Sequence, residues 1–160
     1  MFKWSEVIDQ NEEKLIEAME QAFRDAVDCR HMRHIVEIYQ DGTIRTWACA
    51  TGSNSFSSDS WNGKSKEVGS FCFQYMDVLP SEEDFRNHMT EAEQKKIDEV
   101  IDDECMTFRE YIYSSGKYED LIEEVENEWL DWYKDEYAYV TACTVVHDAI
   151  ITESEWEELA

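Results

Sequence analysis

Residues 34–50, HIVEIYQDGTIRTWACA, read as two strands and the turn that joins them. His34–Gln40 and Thr43–Ala50 are rich in β-branched and aromatic side chains, which suit a pleated surface. Asp41-Gly42 lies between them, and this dipeptide accepts the positive φ that a tight hairpin turn demands. The segment therefore predicts a β-hairpin and makes a sheet the centre of the fold. Downstream, residues 51–66, TGSNSFSSDSWNGKSK, are polar and aperiodic and predict a long exposed loop, with a second turn signal at Asn62-Gly63. Phe56 and Trp61 interrupt its polar character, either tucked beneath the loop or offered as a contact. Residues 67–77 predict a third strand, because Phe71 to Met76 alternates with period two.

Helices flank this sheet. Leu15, Ile16, Met19, Phe23 and Ala26–Val27 recur at three- and four-residue spacing, with Trp4 and Ile8 extending the face or forming a preceding turn. Cys29 to His34 is a short basic patch and predicts a loop. After Pro80, Ser81 to Asp84 opens a helical turn with acids in its first positions. Thr90 and Glu93 form a capping box for a helix whose face carries Ile97, Val100–Ile101, Cys105, Phe108 and Ile112 before Ser114-Ser-Gly116 ends it. A helix over about 118–135 has an apolar face of Leu121, Ile122, Val125, Trp129, Trp132 and Tyr133. Residues 137–146, YAYVTACTVV, read as a strand, a buried helix being the alternative for so short an apolar run. Thr152 to Glu155 reads as a second capping box opening a short terminal helix through Trp156. The order α-β-β-β-α-α-β-α predicts one α+β domain over 1–160, an antiparallel three- to four-stranded sheet with helices packed on one face.

The chain carries 38 acidic side chains against 14 basic ones, a net charge of −24. The excess is concentrated: residues 97–160 hold 20 of the acids and three of the bases, a net of −17. Such a field repels nucleic acid and anionic membrane and attracts basic surfaces. Aromatics at 13% exclude an acidic disordered tail, which would be poor in them. No apolar run is long enough to span a membrane and no apolar signal core opens the chain, so a cytoplasmic protein is expected. Five cysteines, an odd number without a CxxC, predict reduced and mostly buried thiols.

The strongest candidate site is the pair of acidic helices. Asp120, Glu124, Glu128, Asp131 and Asp135 recur every three or four residues, widened by Glu119, Glu123 and Glu126. The preceding helix adds Asp98, Glu99, Asp102, Asp103 and Glu104. Carboxylates held in rows on a rigid rod imitate the phosphates of a nucleic-acid strand, so a Lys/Arg groove built for phosphate would accept them. The ordinary alternative is a solvated helix face; the size and clustering of the charge exceed what solubility requires. Trp61 and Trp132, with Trp156, are candidate aromatic anchors, whereas Trp47 and Trp129 are assigned to the core.

Other chemistry finds less support. Cys29, His31 and His34 have metal-ligand chemistry but not a zinc spacing, and would need a further ligand such as His147 or Asp148. Asp102–Asp103 is one of many carboxylate pairs that 38 acids produce by chance. Phosphate-binding, dinucleotide, calcium-loop and HExxH motifs are absent from the sequence, and Arg30, Arg33 and Arg45 do not make a nucleic-acid patch. The expectation is a non-enzymatic binding protein without cofactor or metal, whose partner is a basic nucleic-acid-binding protein such as a nuclease.

In size, charge and aromatic content the chain resembles the small acidic anti-defence proteins of phages and mobile elements, the anti-CRISPR and anti-restriction proteins, several of them DNA mimics. That resemblance implies an inhibitor occupying the nucleic-acid site of an RNA-guided nuclease or restriction enzyme. Immunity proteins that neutralise nuclease toxins are similar in the same sense, and a small metal-dependent enzyme using the Cys29/His31/His34 region is the alternative of a different class.

Overall fold

A computed structural model describes residues 2–50, 63–74 and 78–159. Helices α1 (Trp4–Gln10) and α2 (Glu12–Asp28) precede strands β1 (Met32–Tyr39), β2 (Ile44–Ala50) and β3 (Ser65–Phe71). Helices α3 (Glu82–Arg86), α4 (Glu91–Glu104), α5 (Phe108–Ser114) and α6 (Glu119–Leu159) complete the chain. This is an α+β fold with a three-stranded antiparallel sheet in the order β2-β1-β3. The chain packs as two compact units, Met1–Asp77 with Tyr133–Ala160, and Val78–Trp132. Helix α6 gives its first part to the second unit and its remainder to the first.

The hairpin forms where Asp41-Gly42 places it. Gly42 takes φ 89°, Asp41 Oδ1 accepts from Thr43 N–H at 2.9 Å, and Tyr39 N–H donates to Thr43 O at 2.8 Å. β1 is the central strand, so it is paired on both edges, and Ile35, Val36, Glu37 and Ile38 are all buried. Val36 and Ile38 join Leu15, Met19 and Ala22 of α2, Ile8 of α1, and Ala142 and Val146 of α6 in one core. The predicted α2 stripe is buried at Leu15, Met19, Phe23 and Ala26–Val27. Phe23 also meets Phe71, Phe73 and Tyr133 with ring centroids between 5.2 and 5.7 Å, a range typical of aromatic pairs. Glu37, 1% exposed, accepts from Ser65 Oγ at 3.3 Å and faces Arg45 at 3.7 Å, partners a buried carboxylate requires.

The second unit closes on Phe85, Ile97, Phe108, Ile112 and Val125. Its helices are capped by their own sequence. Ser81 with Asp84 and Thr107 with Glu110 make complete capping boxes, and Thr90 Oγ1 accepts from Glu93 N–H at 3.2 Å.

Several sequence expectations are corrected. Residues 137–146 are helix, not strand. Ala138, Ala142 and Val146 are fully buried at four-residue spacing, a helical period that β-propensity obscured. Thr152 does not cap a terminal helix: α6 runs unbroken through it, and the next residue, Glu153, is turned inward to meet Lys66 Nζ at 2.8 Å. The helix expected to run from Glu91 to Ser114 is two, because Cys105 adopts the left-handed conformation (φ 54°) and Thr107 starts a new one. β3 begins at Ser65, two residues earlier than expected, and ends at Phe71; residues 72–74 are not strand, and 75–77 of the expected strand lie outside the described residues. The cysteines form no disulfide among the described residues, but Cys29, Cys72 and Cys105 are exposed and Cys49 and Cys143 half-buried. Cys29 and Cys105 occupy helix C-caps, where the chain turns at the surface. The loop expected over 51–66 lies mostly outside the described residues, together with Phe56 and Trp61.

Candidate functional site

The acidic rows stand on the second unit. α4 buries Ile97 and turns Asp98, Glu99, Asp102, Asp103 and Glu104 outward. α6 buries Val125 and exposes Glu119, Asp120, Glu123, Glu124, Glu128 and Asp131, while Glu126 is half-buried beneath the Tyr113 hydroxyl, which donates to it at 2.9 Å. At 1.5 Å rise per residue, the seven acids from Glu119 to Asp131 span roughly 18 Å, about one charge per 3 Å. A single nucleic-acid strand carries one per about 3.4 Å.

Every predicted acid of the rows except Glu126 is exposed, and the rows are not uniform. Asp98 is 2.7 Å from Arg86 Nη2, and the same guanidinium reaches Glu82 at 2.9 Å and stacks over the Phe108 ring at 4.5 Å. Glu128 Oε2 is 2.8 Å from His88 Nε2. Asp135 belongs to the other unit, where Arg24 Nη1 holds it at 3.0 Å. Asp98 and Asp135 are partly neutralised by the protein's own arginines, and Glu128 is when His88 is protonated, whereas Asp102, Asp120 and Glu124 have no ion pair within 4 Å among the described residues. Trp132 is 51% exposed, with its ring 6.1 Å from that of half-buried Trp129. Trp156 is exposed on the first unit, and Trp61 lies outside the described residues.

The Cys29/His31/His34 region does not gather. Cys29 is exposed at the end of α2, and His31 takes φ 72° with Nδ1 2.8 Å from Gln74 Oε1. His34 lies in β1 with a buried Nε2 that has no hydrogen-bond partner among the described residues, beside a cavity of about 470 Å³ that Ala22 and Trp47 also line. Among the described residues, one set of three or more His, Cys, Asp or Glu side chains has its ligand atoms within 4.8 Å of one another: His88, Glu124 and Glu128. Sequence reasoning found the two glutamates through their spacing and missed His88. That residue sits in the turn between α3 and α4, and only packing brings it to α6. His88 is held above the ordinary histidine range, first by the hydrogen bond to the Asp84 backbone carbonyl, then by Glu128 and the nearby Glu124.

No described helix is long and apolar enough to cross a membrane. No protein-family model matches the chain, and no curated protein or solved structure matches it.

Proposed function

We propose that this protein binds a basic, nucleic-acid-handling protein and blocks its nucleic-acid site, in the manner of an inhibitor of an RNA-guided nuclease or a restriction enzyme. The observation that carries the reading is the exposure of closely spaced carboxylates along α4 and the first part of α6, in a chain of net charge −24. A charge density near that of a nucleic-acid strand supplies long-range attraction and fast encounter with a Lys/Arg groove. Trp132, half-exposed beside those acids, supplies the short-range apolar contact on which interface energy concentrates. Asp102, Asp120 and Glu124 form the centre of the contact on the second unit; Asp98 exchanges Arg86 for the partner's cation, and Glu128 exchanges its contact with His88.

The test is inhibition of DNA cleavage by a panel of purified RNA-guided nucleases and restriction enzymes, with association rates measured on any enzyme inhibited. Reversal of Glu124, Glu128 and Asp131 to Lys should slow association at least about tenfold while dissociation changes less. Affinity should fall steeply with salt. Salt-insensitive binding, or a triple variant that inhibits like the parent, would remove the electrostatic argument; no inhibition across the panel would remove the reading.

A further inference from the structure

We propose that His88, Glu124 and Glu128 form a divalent-metal site of the nitrogen–oxygen donor type that accepts Zn²⁺. Glu124 and Glu128 are one turn apart on α6 and share a face. His88 reaches them from the turn after α3, and the three ligand atoms lie within 4.8 Å of one another, all exposed to solvent. The imidazole is already oriented for this role. Its Nδ1 is 2.9 Å from the Asp84 carbonyl oxygen, which can only accept, so Nδ1 carries the hydrogen. In the neutral ring Nε2 then holds the lone pair, and Nε2 is the atom that faces Glu128 at 2.8 Å. A backbone carbonyl fixing the tautomer and aim of a ligand histidine is the usual second layer of a metal site.

In the imidazolium form of His88 a proton lies between Nε2 and the Glu128 carboxylate. Zinc replaces that proton and releases it to solvent. The two atoms then move apart to roughly 3.4 Å, the separation that tetrahedral bonds of about 2.1 Å impose. Exposed side chains accommodate this shift without disturbing the core. Three protein ligands leave a fourth position for water or a group from another molecule. One imidazole with two carboxylates favours zinc over the hard cations magnesium and calcium, which prefer all-oxygen shells. A simple His88–Glu128 ion pair would need only one glutamate; a metal site requires Glu124 as well, and the test turns on that difference.

Chelator-stripped full-length protein is titrated with Zn²⁺ against a chromogenic zinc indicator, and the histidine side-chain nitrogens are followed by NMR. The expected result is one equivalent bound, a shifted His88 Nε2 resonance, and affinity that rises with pH as proton competition is relieved. His88→Ala and Glu124→Gln should each weaken binding about 10- to 100-fold. Glu123→Gln removes the same charge one residue away and should change affinity less than about twofold. Equal losses from Glu123→Gln and Glu124→Gln would mean diffuse attraction to an acidic surface and would overturn the site. So would an undisturbed His88 resonance, or a cobalt spectrum showing thiolate-to-metal charge transfer, which would place the ion on the exposed cysteines.

Discussion

At Gly69 of β3 the absence of one methyl group decides how closely helix and sheet approach. A Cβ there would lie 2.4 Å from Val145 Cγ1 and 3.1 Å from Met19 Cε. Val145 is β-branched and has a single stiff torsion, so it cannot step aside as a long side chain would. Gly69→Ala should therefore destabilise the protein by about 1–3 kcal/mol in denaturant titration. Val145→Ala in the same chain should recover part of that loss by removing the clashing carbon; additive losses in the double variant would contradict the contact. Nothing around Gly69 in the chain announces this role, since the close partner is 76 positions away. Gly42 is the opposite case, because its positive φ follows from the Asp-Gly turn beside it. The exposed thiols and the buried Glu37 were likewise illegible one residue at a time. The environment of Cys29 depends on where α2 stops, and that of Glu37 on its place in the central strand with Ser65 and Arg45 nearby.

Among elements, two identical patterns, Thr-x-x-Glu, have opposite fates. Thr107 to Glu110 caps α5, whereas Thr152 to Glu155 lies inside α6. Thr107→Ala should cost about 1 kcal/mol, the usual value of a lost N-cap. Thr152→Ala, at an exposed interior position, should change stability by less than about 0.5 kcal/mol. Thermal unfolding of the two variants side by side checks the contrast, and a matching loss at Thr152 would argue for a break in α6. The hairpin was legible from its turn chemistry, α2 from its apolar period and the start of α4 from its Thr90 cap. The end of α6 was not: Tyr, Val and Thr in residues 137–146 favour strand locally, and the four-residue spacing of Ala138, Ala142 and Val146 carries the helix. Burial against the sheet outweighs a propensity difference of a few tenths of a kcal/mol per residue.

For the whole molecule, 38 acids against 14 bases mean that folding gathers like charge. Raising sodium chloride from about 0.01 to about 1 M shortens the screening length from about 30 to about 3 Å. The melting temperature should rise over that range, although the exposed ion pairs weaken; a fall would mean that those pairs outweigh the repulsion. Partner binding should respond in the opposite sense, so the two measurements separate self-repulsion from recognition. The candidate site was half legible. Its acids declared themselves by count and spacing, because exposed charges on a helix follow the helical period whatever the fold does elsewhere. Their contacts with Arg24, Arg86 and His88 did not, since each of those side chains comes from a different helix or turn. By itself the sequence determined the α+β class, the hairpin and the acidic surface, because turn geometry, periodicity and net charge are local or additive properties. Tertiary structure alone decided that residues 137–151 are helical, that Gly69 admits no side chain, and that His88 meets Glu124 and Glu128, because each depends on which distant side chains share a volume.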